Sequence, residues 1–360
     1  MRLEERLARA ARSAGAAGFG ICTADPFPEV RSELERRKDD GTHADLTFTY
    51  NHPRRSTDVR ESLPWAERLA VVAWPYLPAA GTPGTPQAGT GRIARFATED
   101  HYVGLRATLA EVAGLLAEAR YRTEVLADDN RLVDRAAAVR AGVGWWGKSS
   151  MVLAPGVGPW LLIGSVATDA LLDVDEPMKR DCGTCIACIP ACPTGAIVGP
   201  GVIDARRCLA RWSQAPGVIP EEFRRAMGDR LYGCDDCLDA CPPGGRLLAS
   251  AERRQGRVDL VALLAASDDD LLEQYAHFYL PRRRPAALRR NALVALGNTG
   301  SADHVPVVAD YLTDADPVLR IHAAWALGAI GGPEARSALL AAAEGEKDGQ
   351  VHAEIGAALR

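Results

Sequence analysis

Eight of the nine cysteines lie between residues 182 and 241, and this crowding constrains the fold more than any other feature of the sequence. The first run, from Cys182 to Cys192, has the spacing C-x2-C-x2-C-x3-C-P. This spacing is typical of bacterial ferredoxins, in which three thiolates bind one 4Fe–4S cluster and the fourth binds the other. The segment therefore predicts a two-cluster, ferredoxin-like module for electron transfer.

The second run, Cys234-x2-Cys237-x3-Cys241-Pro, lacks its first cysteine, and Leu231 occupies that position. Cys208 lies between the runs and can supply the missing ligand. The crossover rule then assigns Cys182, Cys185, Cys188 and Cys241 to one cluster, and Cys192, Cys208, Cys234 and Cys237 to the other. A pair of structural zinc sites is the alternative, but zinc sites rarely have this spacing. Cys22, alone in an apolar strand, is expected to be a buried core thiol.

The composition is that of an ordinary globular protein, with 47% hydrophobic and 25% charged residues. The formal net charge of −5 argues against a uniformly basic coat for nucleic acid. No apolar run approaches the length of a membrane span, and the first residues read as a charged helix without a signal core or twin-Arg signal. We therefore expect a cytoplasmic, monomeric protein without disulfides.

The pattern of elements predicts three parts: an α/β domain at 1–172, the cluster module at 173–250, and an all-α domain at 251–360. In the first part the hydrophobic spacing predicts helices at 1–17, 101–121 and 132–141, and strands at 18–24, 69–77, 121–128, 149–155 and 160–168. A Gly-, Pro- and Thr-rich stretch at 79–91 is expected to form a surface loop.

The last part contains an internal repeat. NALVALGNTG at 291–300 matches HAAWALGAIG at 322–331, which gives a period of 31 residues, and a partial third copy begins near His352. A repeat of this length with a glycine ending one helix is typical of HEAT-like α-solenoids. A plain helical bundle is the alternative.

One segment, Gly142 to Ser149, satisfies the P-loop expression literally. A P-loop follows a strand and opens a helix, whereas this segment is expected to follow a helix and precede a strand. Trp145 and Trp146 would also crowd a loop that wraps phosphates. We interpret the segment as the glycine-rich wall of another pocket rather than an ATP site.

Taken together, these motifs resemble the epoxyqueuosine reductase family over nearly the whole chain. The segments that carry the resemblance are AGVGWWGKSS (141–150), GSVATD (164–169), CGTCIACIPACPTGAI (182–197), DARRC (204–208), YGCDDCLDACP (232–242) and RRNALVALGN (289–298). Cluster runs alone occur in many ferredoxin-like proteins, but their order with the flanking segments is far more specific.

The resemblance implies a cobalamin-dependent oxidoreductase that reduces epoxyqueuosine at the wobble position of tRNA, with electrons from an external low-potential donor passing through two 4Fe–4S clusters. It also implies that an Asp upstream of an acidic–Arg signature donates a proton. Aligning that signature on Asp134 and Arg135 places the acid at Asp128, with Asp129 as the alternative register. The cobalamin contacts carried over by resemblance are Arg55, Arg95, Asp128, Ser213 and Asp235. The chain has no D-x-H-x-x-G motif, so cobalamin would bind without that histidine ligand.

Three positions depart from the family pattern. Arg131 stands where the family usually has Pro, the family's Asp-Tyr-His reads His101-Tyr102-Val103, and its Pro-Gly reads Pro64-Trp65. All three lie in the α/β domain.

A basic patch opens the repeat domain, formed by Arg282, Arg283, Arg284, Arg289 and Arg290. Guanidinium forks bind phosphates, so we expect this patch to contact the tRNA anticodon stem-loop. Tyr275, Phe278 and Tyr279 lie close by and could stack on bases, although core packing is an equal alternative. A merely solvated charge run is the alternative for the arginines.

Two other functions are consistent with parts of the pattern. A reductase of a small molecule, similar to the reductive dehalogenases, would share cobalamin and two clusters but typically carries an export signal and no repeat domain. A ferredoxin-type electron carrier would leave the 141–169 resemblance unexplained.

Overall fold

The computed structural model describes residues 1–76, 88–245 and 256–360. Most of the predicted loop at 79–91 lies outside these residues. The chain forms two compact units. Unit 1 comprises Met1–Ala80, Asp100–Arg206 and Asp236–Glu252, and unit 2 comprises Gly81–Glu99, Arg207–Asp235 and Arg253–Arg360. These units follow the density of contacts rather than function, so the three predicted domain bounds stay a prediction.

The described helices, in chain order, are α1 (Leu3–Ser13), α2 (Pro28–Asp39), α3 (Pro53–Ser56), α4 (Tyr102–Glu118), α5 (Asp134–Arg140), α6 (Cys188–Ala191), α7 (Leu209–Gln214), α8 (Glu221–Met227), α9 (Asp236–Asp239), α10 (Leu260–Ala265), α11 (Asp268–Gln274), α12 (Ala286–Thr299), α13 (Val305–Asp310), α14 (Pro317–Ile330), α15 (Pro333–Gly345) and α16 (Gly349–Ala358). Short 3-10 turns occur at Val59–Glu61, Arg95–Ala97, Pro281–Arg283, Ala302–His304 and Tyr311–Thr313.

The described strands are β1 (Gly18–Thr23), β2 (Arg68–Pro75), β3 (Thr90–Ile93), β4 (Thr123–Ala127), β5 (Trp145–Trp146), β6 (Val152–Leu153), β7 (Leu161–Thr168), β8 (Ile197–Gly199), β9 (Val202–Ile203), β10 (Arg230–Tyr232) and β11 (Gly256–Asp259). Each predicted helix and strand of the first part has an observed counterpart. The strand predicted at 149–155 is reduced to Val152–Leu153.

The main sheet of unit 1 has the order β1-β2-β7-β4, and every neighbouring pair is antiparallel. Side chains of β2 alternate between its two faces: Leu69, Val71 and Ala73 pack with α5, while Ala70 and Val72 pack with α1 and α4. Both faces are therefore covered, which explains why this strand reads as a continuous apolar run. The predicted α/β domain is observed as a helix-covered antiparallel sheet.

Strand β4 positions the site, because it is an edge strand of this sheet and the chain leaves it for α5 through residues 128–133. Helix α5 packs tightly at its end against β1: a Cβ on Gly20 would lie 2.0 Å from the Ala141 carbonyl oxygen. Only glycine fits this approach, so the contact fixes where α5 and the preceding loop lie on the sheet.

The two cysteine runs contribute short helices to unit 1, α6 from the first run and α9 from the second, and these helices pack together. The β8–β9 hairpin follows the first run and is antiparallel. This pairing is the arrangement expected of two related ferredoxin-like halves.

Unit 2 contains a three-stranded sheet, β10-β3-β11, and the repeat helices. The helix starts at Ala286 and Pro317 are 31 residues apart, as the sequence period predicts, and α16 contains the third copy at His352. Helix α14 ends at Gly331, whose φ of 74° is in the left-handed region that favours glycine. Helix α14 packs against both α12 and α16, so the copies share one continuous core.

Among the residues that the structure describes, no helix combines the length and apolar character needed to cross a bilayer.

Candidate functional site

Asp128, the predicted acid, directly follows strand β4 and has a left-handed backbone with φ 55°. Non-glycine residues rarely adopt this conformation, and such residues are concentrated at ligand and active sites. Asp129 does not share it. The local backbone therefore distinguishes the two neighbouring carboxylates.

The electrostatic environments of the two carboxylates also differ. Burial raises the pKa of Asp128, with Arg106 acting against the rise and Asp129 adding to it. Burial also pushes the pKa of Asp129 upward, but its hydrogen bonds and ion pair with Arg131 outweigh that effect and lower it. The Arg131 guanidinium lies 2.6 Å from Asp129 Oδ2, and the Arg131 amide donates to Oδ1 at 2.9 Å. Asp129 is thus held as a carboxylate, whereas Asp128 can hold a proton.

Asp134 is a second carboxyl group with a perturbed environment. Its Oδ1 is buried without a hydrogen-bond partner. Burial raises its pKa well above the usual range, and the charges of Asp128 and Asp129 raise it further. Burial likewise raises the pKa of Tyr102, and both Asp128 and Asp134 contribute to that rise. The carboxyls of Asp128 and Asp134 and the phenol of Tyr102 therefore lie in one shared environment.

Arg135 lies beside this group. Burial lowers the pKa of Arg135, although part of its side chain is exposed to solvent. A group that is surrounded by protein and still reaches water lies in a depression of the surface. Its guanidinium donates to the Ser150 carbonyl at 3.2 Å, and the phenols of Tyr50 and Tyr102 act on its pKa, which places them nearby.

Two residues of this site were missed by the sequence reasoning, Arg106 and Arg131. The Arg106 guanidinium lies 5.2 Å from the centroid of the Tyr102 ring, and its i+4 spacing from Tyr102 on α4 was the available signal. Arg131 was noticed only as a departure from the family pattern. It stands where the family usually has Pro, and its donors fix Asp129.

The first set of cluster ligands comes together in unit 1. Burial and, to a smaller extent, the charges of Cys182, Cys188 and Cys185 raise the pKa of Cys241 to about 11, while a hydrogen bond from the Gly244 backbone acts against the rise. Cys241 and Cys182 also share a small apolar cluster with Trp145. Four neighbouring thiols fit a cluster, because iron supplies the positive charge that offsets their mutual repulsion as thiolates.

The second set is described through each ligand's own surroundings. The Cys192 sulfur accepts from the Ala196 amide at 3.1 Å. Cys208 is the N-cap of α7, Cys234 packs against the core of unit 2, and Cys237 lies in α9. Within the described ranges no three His, Cys, Asp or Glu side chains are arranged to hold a single metal ion.

The predicted cobalamin contacts are not alike. Arg95 and Asp235 are both buried and pair with each other: the Arg95 amide and guanidinium donate to Asp235 Oδ2 at 2.8 and 3.2 Å. Ser213 is buried and accepts from the Gly233 amide at 2.8 Å. These hydrogen bonds connect separate segments of unit 2. The role of the three residues as cobalamin contacts stays a prediction.

Arg55, the fourth, lies on the surface of unit 1. Its Nε donates to the Ser62 hydroxyl at 3.2 Å. A depression of about 500 Å³ is lined by Glu35, Asn51, His52, Pro53, Arg54, Arg55 and Glu61. Arg55 thus has open space in front of it, and its charge also lowers the pKa of Asp129.

The glycine-rich segment at 142–149 follows helix α5, as predicted, and its two tryptophans form the short strand β5, which the sequence did not predict. Trp146 is 44% exposed, whereas Trp145 is buried with its indole nitrogen unpartnered. Lys148 donates to the Gly183 carbonyl at 2.7 Å, beside the first cysteine run. The segment borders the cluster ligands and lacks the strand–loop–helix context of a P-loop. Cys22 is buried, as expected of a core thiol.

The arginine patch separates into two groups. Arg282, Arg283 and Arg284 are exposed, and the first two have left-handed backbones. Arg289 is tied to Asp268 and to the Ala266 carbonyl. Arg290 is 1% exposed, with its guanidinium bound by backbone carbonyls. The expectation that Arg290 contacts tRNA is therefore corrected, because the side chain does not reach the surface.

The aromatic residues near the patch separate in the same way. Tyr275 and Phe278 are buried in the core of unit 2, as the packing alternative proposed, while Tyr279 is 66% exposed. Only Tyr279 of these three could stack on a base.

A covered sheet with an acidic loop, two ferredoxin-type cysteine runs and a helical-repeat region together define a two-cluster iron–sulfur oxidoreductase. The family model for a 4Fe–4S double cluster binding domain matches residues 181–244, and the model for HEAT repeats matches residues 279–360.

The relatives identify the family. The epoxyqueuosine reductase of Bacillus cereus is 32% identical over 345 residues, which cover 92% of this chain and 90% of that protein. A crystal structure of epoxyqueuosine reductase with an epoxyqueuosine-modified tRNA-Tyr stem loop has a TM-score of 0.89 at 30% identity, covering 99% of this chain and 98% of that one. The Bacillus subtilis enzyme, with its catalytic aspartate loop swung out of the active site, has a TM-score of 0.88 at 30% identity and the same coverage. The chain belongs to the epoxyqueuosine reductase family.

Family membership confirms several predictions made from the sequence. The chain is an oxidoreductase that carries two 4Fe–4S clusters and a HEAT-like C-terminal region. The electron-carrier alternative is not supported, because the relatives that match over most of the chain are reductases.

Proposed function

We propose that this chain removes the epoxide oxygen of epoxyqueuosine in a tRNA anticodon stem-loop, with Asp128 donating the proton that the oxygen requires. The removal consumes two electrons and two protons, releases water and leaves a carbon–carbon double bond. The observation that carries the proposal is the contrast between Asp128, whose pKa is raised by burial, and Asp129, which Arg131 holds ionised.

A general acid must keep its proton until the substrate oxygen needs it, and a carboxyl with an ordinary pKa is already ionised at neutral pH. Burial shifts the pKa of Asp128 in the required direction, and its backbone has the left-handed conformation that is frequent at functional positions. In the Bacillus subtilis relative the catalytic loop also carries an aspartate. The direction of the pKa shift and the backbone conformation support Asp128 over Asp129 as the donor.

Cobalamin is the proposed second cofactor. Bound cobalamin supplies a strongly reducing cobalt centre for the strained epoxide carbon. The residues around the acid loop fit such a group, because Asp134 Oδ1 and Trp145 Nε1 are buried without partners and Trp146 is exposed. A large ring with amide side chains could satisfy those polar atoms. Arg55, Arg95, Ser213 and Asp235 remain the proposed contacts from the resemblance.

The proposed electron path runs from an external low-potential donor through the clusters. One cluster would be held by Cys182, Cys185, Cys188 and Cys241, and the other by Cys192, Cys208, Cys234 and Cys237. The effects of the Cys182, Cys185 and Cys188 thiols on the pKa of Cys241 support the first assignment. Changing Cys208 to Ala should reduce the iron content from about eight to about four per chain. Full iron content in that variant would overturn the second assignment.

The proposed tRNA contact is the exposed group Arg282, Arg283 and Arg284, with Tyr279 beside it. Two consecutive left-handed residues force the chain into a tight bend that keeps three guanidinium groups at the surface. Such a cluster suits the phosphates of a stem-loop. We place the protein in the cytoplasm, where its tRNA substrate is found, and expect it to act as a monomer.

The test is anaerobic turnover with epoxyqueuosine-containing tRNA, protein loaded with both clusters, a chemical reductant, and cobalamin either added or omitted. Mass spectrometry of the digested nucleosides should show loss of one oxygen only when cobalamin is present. Turnover without cobalamin would contradict the cofactor proposal, and no turnover under either condition would contradict the substrate proposal.

A further inference from the structure

Arg290 carries a positive charge in the interior of unit 2. It lies in helix α12, and only 1% of its surface is exposed. Its guanidinium donates to the carbonyls of Trp212, Ala215 and Gly217 at 2.7, 2.6 and 2.7 Å. It also donates to the side-chain oxygen of Asn291. Every one of these acceptors is neutral.

The charge of Arg290 has no carboxylate partner in the part of the chain that the structure describes. Arg224 is similarly buried, yet it pairs with Glu354 at 2.8 Å. Burial and, to a smaller extent, the nearby charge of Arg211 lower the pKa of Arg290 to about 9. A buried cation without a counter-charge is costly, and an anionic group held near it would offset part of that cost.

The hydrogen bonds of Arg290 lead to a cluster ligand. Cys208 is the N-cap of helix α7, and Arg290 binds the carbonyls at and beyond the other end of that helix. Six residues of helix span roughly 9 Å. At that distance a charge inside protein still acts strongly, because the local dielectric constant is far below that of water.

The neighbouring Asn291 reaches the second ligand segment as well. Its amide donates to the carbonyls of Ser213 and Leu231, each at 2.7 Å. Leu231 lies in β10, which leads directly to Cys234. The pair Arg290–Asn291 therefore holds both segments of unit 2 that carry cluster cysteines.

We propose that Arg290 is a positioning residue for the cluster bound by Cys208 and Cys234, and that its buried positive charge raises the reduction potential of that cluster. Reduction adds one electron to an already anionic cluster, and a fixed cation nearby favours the more negative form. This inference rests on the proposed assignment of Cys208 and Cys234 to one cluster.

The test is a redox titration followed by electron paramagnetic resonance on cluster-loaded protein without tRNA. Arg290→Met removes the charge and keeps a long side chain. Arg290→Lys keeps the charge but loses the planar guanidinium and its multiple hydrogen-bond donors. In Arg290→Met one of the two cluster signals should shift to a more negative potential, while Arg290→Lys should return it toward the wild-type value. Arg289→Met is the matched control, since the Asp268 partner of Arg289 is largely in solvent, and neither signal should move.

Iron content and thermal stability separate this role from a purely structural one. Arg290→Met with full iron and unchanged potentials would overturn the proposal. If Arg290→Met loses one cluster and Arg290→Lys retains it, the charge is required and the proposal is supported. Loss of that cluster in both variants would show that the guanidinium hydrogen bonds alone are required, and it would overturn the proposed effect of the charge. Failure of the cluster assignment itself would appear separately, as full iron content in Cys208→Ala.

Discussion

The acid loop at residues 128–135 and the arginine segment at residues 282–290 both place residues of like charge close together in sequence. In the acid loop the two neighbours Asp128 and Asp129 receive opposite pKa shifts. In the arginine segment three residues face solvent and Arg290 is buried. In both regions, charges that are alike in sequence acquire different functions in the fold.

The means of separation differ between the two regions. In the acid loop a single left-handed residue and one arginine partner separate adjacent carboxylates. In the arginine segment helix α12 begins at Ala286, so a short bend exposes the residues before it and the helix carries Arg290 into the core. In the loop, the backbone conformation of one residue determines the environment of each carboxylate. In the helix, the face on which a residue lies determines whether its side chain is buried.

The largest effect is expected when each of the two carboxylates, Asp128 and Asp129, is neutralised in turn, which tests whether they differ in function. Asp128→Asn should keep both clusters and bind tRNA, yet lose turnover by roughly 10²–10⁴-fold, because an amide cannot deliver a proton. Asp129→Asn should retain most of the turnover. Single-turnover rates measured at saturating tRNA check both variants, and an inactive Asp129→Asn beside an active Asp128→Asn would reverse the assignment.

The exposed side of the arginine segment can be tested by the triple variant Arg282→Gln, Arg283→Gln and Arg284→Gln. Its tRNA affinity should fall on the order of 10–100-fold near physiological salt, and the slope of log affinity against log salt should become shallower by roughly two to three. Saturated turnover should change little. Binding isotherms at several salt concentrations give both values, and wild-type affinity at every concentration would reduce the patch to a solvated surface.

A smaller effect is expected in the pH profile. Asp128 must be protonated to act, so the rate of the chemical step should fall as pH rises through its raised pKa. The charge of Asp129 contributes to that rise. Asp129→Asn should therefore move the falling limb of the profile to lower pH. An unmoved limb, or one moved to higher pH, would contradict the coupling between the two residues.

The smallest effect concerns stability. The folded state raises the pKa of Asp134 above its unfolded value, so this carboxyl loses its contribution to stability as pH rises through the folded pKa. Asp134→Asn should increase the free energy of unfolding at neutral pH by about 1 kcal/mol in cobalamin-free protein, because a buried unpartnered oxygen then carries no charge. The gain should disappear below about pH 4, where the unfolded carboxyl is also protonated. Denaturant titrations at the two pH values measure this difference.

The sequence was sufficient wherever spacing alone determines structure. The cysteine runs predicted two clusters, and the 31-residue period predicted helices whose starts are 31 residues apart. It was insufficient for Asp128 and Asp129, since nothing in Asp-Asp-Asn indicates which residue adopts a left-handed backbone. Arg290 could have been placed correctly: one period later its position is occupied by Ile321, a buried apolar residue, which marks a core position.

The unit boundaries could not have been predicted in the same way. Segments such as Gly81–Glu99 join unit 2 through strand β3, which pairs with β10 and β11. These pairings connect residues that are far apart in sequence, and no local sequence pattern predicts them.

The most direct test of the opposed carboxylates is pH-dependent infrared difference spectroscopy on wild-type protein and on the variants Asp128→Asn and Asp129→Asn. A protonated carboxylic acid absorbs apart from a carboxylate, so the two forms can be counted. Wild type should show protonated carboxyl signals that persist above the ordinary range for aspartate. Asp128→Asn should remove the signal of Asp128 and keep that of Asp134, and Asp129→Asn should retain the signals of both Asp128 and Asp134. Loss of a protonated carboxyl signal in Asp129→Asn, with none lost in Asp128→Asn, would contradict the assignment of Asp128 as the acid.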